Sequence, residues 1–482
     1  MRVLLIYPYW TAAKPGLWIS LGLCFIGALL TEQGHTVSVF DRTAKHFGCG
    51  NNRLKLNQLM LDHVEDFQPD LIGLNTVSPV IYDTVECVEL IRTVWAGPMI
   101  AGGHHATALP ELTLSRIKGL SGVISGEGEI AMAKLAAGQT PETIPGIWWR
   151  RNDHFVHTPA EQINDLDQLP LPALDLVDMD FYTKRSVYSI NGCYRSVLCM
   201  LTSRGCYNKC SFCSESLTYG KSVRFHSPEY VVAGIKKYIR DYPTVDAICF
   251  HDNDFLADPD RAGIICEKVL AAGLNKKIGF VIQTRTDRIT PEILKHLKKA
   301  GCFKIEFGIE TATKKQLDRI KKNNTEKTNT RAVQLCRQAG IPAHAYMLTG
   351  LENETIADLN AQLRWIKKTK PTTVQLSRIN IHPGTLLYQD YGDSFFERND
   401  WTESNVNQFY QTRLPTRISA QSRQAWMKRA FPHLILNNFK AIIKLNPPRY
   451  WKDLLPGRGS YFYRALASRI AKWLGVKVID KQ

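Results

Sequence analysis

No apolar run in the 482 residues is long enough to cross a bilayer. The longest, residues 17–30, covers 14 positions and is broken by Ser20, Gly22 and Gly27. A spanning helix needs about 20, so this stretch is expected to be a buried helix of a soluble domain. The opening MRVLLIYPYW has one charge and no small-residue cleavage site, so no signal peptide is expected. Twelve cysteines are present. Without an export signal, and with most of them single inside apolar segments, they predict a reducing cytoplasm rather than a disulfide framework. The fingerprint G-x-G-x-x-G is missing, and Gly22 and Gly27 do not replace it, so a dinucleotide site has no support. There is no evident repeat. With 44% hydrophobic and 22% charged residues, disordered, collagen-like and disulfide-stapled architectures are excluded.

At about 150 residues per domain, the length predicts two or three domains. Residues 1–140 alternate strand patterns, at 3–7, 36–40, 70–76, 99–100 and 122–125, with helical ones. Strands separated by helices of this size pair in parallel. The segment is therefore expected to be a doubly wound, Rossmann-like α/β domain with its ligand at the carboxyl ends of its strands. Those ends are polar or glycine-rich: Asn75, Thr76 and Ser78; Gly102, Gly103, His104 and His105; Gly126 and Glu127. Residues 141–195 hold five prolines and little periodicity, which predicts a linker with strand character near 147–150. Residues 196–390 form a second βα series, with strands expected at 198–202, 247–251, 278–283, 304–309, 343–348 and 374–379. Six such units predict an incomplete barrel or a second open sheet. Residues 391–482 are expected to be a basic, mainly helical extension. Of the net charge of +16, residues 413–482 carry +13, from 15 Lys and Arg against two acids.

The chemical centre is Cys206-Tyr-Asn-Lys-Cys210-Ser-Phe-Cys213, a C-x3-C-x2-C just after an expected strand. Three readings are open: incidental core cysteines, a zinc site, or an iron–sulfur cluster. Zinc usually takes two ligands close together and two further on, yet the next cysteines, Cys249 and Cys266, are single. Asn208, Lys209 and Ser211 make the loop polar, against a core role. Three soft thiolates suit a cluster with one iron left open for chelation.

With Phe212 as the aromatic, this C-x3-C-x-aromatic-C pattern resembles the signature of radical S-adenosylmethionine (SAM) enzymes. An α/β domain ahead of a six-unit series resembles their cobalamin (B12)-dependent class, which includes methyltransferases and the anaerobic Mg-protoporphyrin ester cyclase. The resemblance covers residues 1–390. It implies a partial (β/α)6 barrel, a [4Fe–4S] cluster on Cys206, Cys210 and Cys213, SAM on the open iron, and Phe212 against the adenine. Asp252, Asn253 and Asp254 would hold the methionyl ammonium, which needs acidic and amide oxygens; a turn or helix N-cap is the alternative. Gln283 and Arg285 would meet the SAM carboxylate. In the Gly308-Ile309-Glu310 stretch, Glu310 would meet ribose hydroxyls or the amino group. Gly350 would bring backbone close to the adenosyl group. Ordinary loop roles are the alternative for each.

For cobalamin, Gly102 and Gly103 permit close backbone approach, and Asn75, Thr76, Ser78, Gly126 and Glu127 line the same strand ends. The family's D-x-H-x-x-G after the first strand is replaced by Tyr-Pro-Tyr-Trp-Thr, which implies base-off cobalamin. His104 and His105 are either ligands or polar loop contacts. The implied activity is radical methylation of an unactivated carbon in a small-molecule or lipid-like substrate, or a cobalamin-dependent cyclisation or rearrangement. Two other readings are a tRNA methylthiotransferase-like protein, drawing on Cys24, Cys49 and Cys87 for a second cluster, and a non-catalytic metal-binding scaffold. An electron donor such as flavodoxin or ferredoxin is implied, with anaerobic chemistry. On a helical wheel, residues 461–474 set Phe462, Leu466, Ile470 and Trp473 opposite Arg464 and Lys472. That pattern fits either an interfacial helix on an anionic inner leaflet or a helix packed on the barrel with a solvated face. An anionic substrate is the further option; nucleic acid is not expected, since no RNA-binding motif is present.

Overall fold

β-Branched and aliphatic runs build two sheets in the computed structural model, which describes residues 1–10, 19–50, 52–152, 154–185, 191–392, 394–411 and 414–446. Strands β1 (Arg2–Tyr7), β2 (Thr36–Asp41), β3 (Leu71–Asn75), β4 (Met99–Gly102) and β5 (Gly122–Ile124) are parallel in the order 2-1-3-4-5. Helices cover both faces, so Val3–Ile6 of β1 are all buried and the strand reads as a continuous apolar run. The strand order reverses at β1/β3, where such sheets open a crevice beyond the strand ends.

The expected linker is not one. Strands β6 (Ile147–Arg151) and β7 (His154–His157) extend the first sheet beyond β5 as antiparallel strands. Residues 158–185 form a strap that buries only some of its side chains. Leu174, Phe181 and Tyr182 join the core beneath the second sheet. The Tyr182 hydroxyl donates to Asp41 at 2.5 Å, and Ala173 N donates to the Cys24 carbonyl at 3.1 Å. Short 3-10 turns carry this strap, and they leave no periodicity to read.

Strand β8 (Val197–Met200) opens the second series, followed by the two-residue ribbon strands β9 (Ser203–Arg204) and β10 (Arg224–Phe225). Strands β11 (Ala247–Phe250), β12 (Gly279–Thr284), β13 (Cys302–Glu310), β14 (Ala343–Thr349) and β15 (Thr373–Arg378) then join β8 in a parallel sheet in sequential order. Right-handed crossovers between successive neighbours place every helix on one face, which curls the sheet into a partial barrel; a doubly wound sheet would reverse its order. Ile305, Phe307 and Ile309 of β13 face the helices, and alternation turns Lys304, Glu306 and Gly308 inward.

The extension clasps both domains. Phe396, Trp401, Val406 and Phe409 complete the core of the first domain. Helix Ala420–Leu445 runs along β15. There Asn438 accepts from Val374 N and donates to the Val374 carbonyl, both at 2.8 Å, satisfying the edge strand. The amphipathic segment expected at 461–474 lies outside the described residues. No described helix is long and apolar enough to cross a membrane.

Candidate active site

The cysteine loop leaves the barrel between β9 and β10. Gly205 takes φ +93°, where a Cβ would collide with the Ser222 carbonyl, so only glycine makes this bend. Ser211 N donates to the Ile320 carbonyl at 3.0 Å, and the Ser211 carbonyl accepts from Leu387 N at 3.0 Å. Cys206, Cys210 and Cys213 are half-buried free thiols, and Asn208 Nδ2 lies 3.8 Å from Cys206 Sγ. Burial pushes the Cys213 thiol up to about 12 and raises Cys210, while Lys322 pulls Cys210 back. Among the described residues no three His, Cys, Asp or Glu converge on a single metal ion. A cubane sets a different requirement: its thiolates bind separate irons, so they ring the cluster rather than meet at a point. Three free thiols on one pinned loop fit that donor set. Phe212 is half-buried, packed against an apolar cluster that combines first-domain residues with Ile320, Leu351 and Ile379 of the second.

Several residues at the barrel mouth are already engaged. Asp252 is fully buried; its Oδ1 accepts from Thr202 N at 3.0 Å, from Thr202 Oγ1 at 2.9 Å and from Ser203 Oγ. Burial raises its carboxyl pKa despite these bonds. Asp254 Oδ1 accepts from Thr284 Oγ1 at 2.6 Å and Arg285 N at 3.3 Å. The turn alternative therefore describes both aspartates, which brace the strand ends. Asn253 is half-buried, with Nδ2 3.3 Å from Glu215 Oε2. Arg285 is not poised for a carboxylate ligand: it bonds Asp287 twice at 3.0 Å and the carbonyls of Lys322 and Asn323 at 3.1 and 2.9 Å. Gln283 is half-buried, in register with Glu306. At Gly350, φ is +77° and a Cβ would press on Arg378 Cγ at 3.2 Å, so its bareness admits a side chain rather than a ligand.

Glu310 has φ +62° at a register shift after Gly308, and Lys322 Nζ lies 2.8 Å from its Oε1. A Cβ on Gly308 would sit 2.5 Å from Glu310 Oε1 and 2.7 Å from Lys322 Nζ; glycine makes room for this pair. Burial opposes the Lys322 charge, but Glu310 and Cys210 outweigh it and raise its pKa. Sequence reasoning missed Lys322. In the run KKQLDRIKK it looks like any solvated lysine, and only the tertiary contact singles it out.

The crevice of the first domain opens at its predicted strand ends. Asn75, Gly102, Gly103, His104, Gly126 and Glu127 line its mouth; Leu5, Leu23, Ile26, Ile100 and Met132 line its interior. It holds about 910 Å³ free of protein atoms, a figure that counts the part open to solvent. Asn75 Oδ1 is buried there without a partner. A Cβ on Gly102 would meet nothing closer than 3.9 Å, whereas one on Gly103 would strike Thr76 O at 2.8 Å. Gly102 is thus the open cradle; Gly103, at φ +102°, serves the turn. Thr76 and Ser78 do not face the crevice. Thr76 Oγ1 donates to the Gly102 carbonyl at 2.7 Å and accepts from Ala106 N at 3.0 Å. Ser78 Oγ pairs with His105 Nδ1 at 2.9 Å. His105 is fully buried, its pKa lowered by burial to about 3, against Phe396 and Trp401; it is a core histidine. His104 does line the crevice, with Nδ1 2.9 Å from Thr218 Oγ1.

Glu127 lines the crevice but spends its carboxylate on the barrel. Its oxygens pair with Arg204 and Arg224, each at 2.7 Å, and Glu129 pairs with Arg204 at 2.6 Å. Burial alone would weaken the Arg204 charge; Glu129 and Glu127 hold it cationic. Cys24 and Cys87 sit in two different cores, so the cysteines a second cluster would need are dispersed.

Residues 200–366 match the model of the radical SAM superfamily, and residues 11–136 match that of the B12 binding domain. The chain is 27% identical over 376 residues to an uncharacterized methyltransferase of Pyrococcus horikoshii, covering 77% of each. It is 25% identical to the anaerobic magnesium-protoporphyrin IX monomethyl ester cyclase of Cereibacter sphaeroides, covering 96% of this chain and 78% of the cyclase. Its fold resembles that of a radical SAM methyltransferase from Kitasatospora setae solved with cobalamin and a [4Fe–4S] cluster, with TM-score 0.70, 16% identity, and coverage of 93% and 91%.

Proposed function

Because the chain belongs to the radical SAM superfamily and carries a B12 binding domain ahead of its barrel, we propose that it is a cobalamin-dependent radical enzyme methylating an unactivated carbon of a small-molecule or lipid-like substrate. One observation carries this reading: Thr218 and Tyr219, a few residues past Cys213, form part of the wall of the Gly102–Glu127 crevice. A reaction needing two cofactors at one substrate needs such a shared wall.

When bound, a reduced [4Fe–4S] cluster supplies the electron that cleaves SAM to a 5′-deoxyadenosyl radical, and methylcobalamin supplies the methyl group. This chain's residues hold and enclose. Cys206, Cys210 and Cys213 would hold the cluster, with SAM at its open iron. Glu310 and Asn253 present oxygens at the mouth for the ammonium or ribose, and Lys322 fixes a cation beside Cys210. Gly102 would leave room for the corrin, and the unpartnered Asn75 Oδ1 would accept a hydrogen bond from it. Leu5, Leu23, Ile26, Ile100 and Met132 would give base-off cobalamin an apolar wall. His104, held by Thr218, stands between crevice and cysteine loop. Gly384, whose Cβ would meet Ala108 at 3.0 Å, lets the segment after β15 close over this junction and exclude water.

An acidic one-electron carrier, of the flavodoxin or ferredoxin kind, suits the outside of the loop, where Tyr207 is 53% exposed. Lys209 and Lys321 are also exposed there, joined through the Ser211–Ile320 bond. The basic tail, residues 413–482, is the candidate for contact with an anionic leaflet; flotation with anionic but not neutral liposomes at low salt tests that. Ring closure is the second reading, favoured by the cyclase match running over 96% of the chain, into the extension. Anaerobic reconstitution decides the main point. The protein should gain the cluster's visible absorption, bind hydroxocobalamin without nitrogen coupling in its cobalt(II) resonance, and release 5′-deoxyadenosine from SAM. Failure of the Cys206/Cys210/Cys213→Ala triple variant to lose the cluster would overturn the assignment. Comparing metabolites of strains with and without the protein then separates methylation from cyclisation.

A further inference from the structure

We propose that Arg204 is a positioning residue that couples occupancy of the cobalamin crevice to the geometry of the cluster loop. The inference rests on the two-cofactor reading above. Arg204 ends β9, and only Gly205, locked at φ +93°, separates it from Cys206. Its guanidinium reaches across the domain boundary to Glu127 at 2.7 Å and Glu129 at 2.6 Å, with all three side chains at most 5% exposed. Arg224, paired in register with Arg204 on the β9–β10 ribbon, takes the second oxygen of Glu127 at 2.7 Å. That oxygen also accepts from Ile163 N at 3.0 Å. Two guanidinium groups thus meet two carboxylates with no charge left over.

The position of the carboxylates gives the pairing its meaning. Gly126, Glu127, Gly128 and Glu129 are successive lining residues of the crevice. A ligand that fills the crevice therefore bears on the same short segment that grips Arg204. Tyr219, another lining residue, puts its ring 5.6 Å from Arg204 Cζ, and Phe25 closes the other side at 5.3 Å. Buried ion pairs contribute little net stability compared with apolar packing, so docking two domains does not call for four buried charges. What a planar, forked cation between two carboxylates adds is a fixed distance and angle. Here that distance links the crevice wall to the first candidate cluster ligand. Reciprocity follows: whatever crevice occupancy does for the loop, a loaded loop does for the crevice.

The test uses the full chain loaded with both cofactors. Cluster loss to an iron chelator is followed by visible absorption, with and without hydroxocobalamin. In the native protein cobalamin should slow the loss by about tenfold, within the usual range of coupling between sites. In Arg204→Lys, which keeps the charge and loses the fork, this protection should fall to about onefold at equal starting occupancy of both cofactors. Glu129→Gln, a milder change, carries the same comparison should the lysine variant not fold. A merely structural role would change the absolute rate and leave the cobalamin-dependent ratio intact, so an unchanged ratio in a folded variant overturns the proposal. Equal rates with and without cobalamin in the native protein overturn it too. A native protein that takes up no cobalamin overturns the two-cofactor reading itself, and the coupling with it.

Discussion

Adjacent glycines make opposite predictions. Gly103 needs its left-handed φ, and a Cβ there meets the Thr76 carbonyl; Gly103→Ala should cost about 1–3 kcal/mol of stability whatever is bound. A Gly102 side chain enters open crevice space, so Gly102→Val should keep the urea midpoint and lose hydroxocobalamin binding. Equal cobalamin affinity in Gly102→Val and the parent would remove Gly102 from the site. Buried histidines give a second test. Burial lowers His105 and His344 to about 3, below the usual value near 6.5. Each therefore binds a proton more readily unfolded than folded between those pH values. Its share of stability is complete above pH 6.5 and is lost as pH falls toward 3, by about 1.4 kcal/mol per pH unit per histidine. Urea midpoints at pH 7 and 5 should diverge less in His105→Gln than in the parent, a comparison that separates this share from the carboxyl groups. The candidate cysteine ligands were legible as residues because spacing within one loop is a local property. Asp252, Arg285, Thr76 and Ser78 were legible only as polar residues near strand ends. Which way each side chain turns depends on partners such as Ser203, the Gly102 carbonyl and His105, which lie 26 to 49 positions away, or Asp287, two positions on.

Elements were read more faithfully than side chains. Among the described residues, period-two and aliphatic runs located the eleven parallel strands to within a few residues, because at least one face of each is buried in an apolar core. The strap through residues 160–185 escaped, since its turns have neither period. Helix Ala420–Leu445 lies within the basic, mainly helical extension that the sequence predicts, and one side chain fixes its place. Asn438 satisfies both backbone groups of Val374 on the sheet edge. Asn438→Leu should leave a donor and an acceptor unpaired and cost roughly 1–3 kcal/mol, read as a lower urea midpoint. An unchanged midpoint would mean that β15 finds other partners for its edge.

At the scale of the molecule, charge is distributed for traffic. Exposed Lys209 and Lys321 flank the outside of the cysteine loop, and attraction between exposed charges is screened by salt. The double variant Lys209→Glu/Lys321→Glu should slow cluster reduction by an acidic carrier at low ionic strength, and the difference should fade at high salt. An equal deficit with dithionite would show damage to the cluster rather than lost attraction. The strap described between the two sheets has a consequence for ancestry and for engineering. Ile19, Cys24 and Ala44 of the first domain share one core with Leu174, Phe181 and the barrel helices, and Leu176 fills the space left by Gly27. The apparent seams at residues 140 and 195 are therefore not places where this chain can be cut and spliced. A chimera that inherits its corrin half from one parent and its barrel from another must take residues 160–185, Gly27 and the Glu127–Arg204 pair from a single lineage, or both halves will meet with mismatched faces.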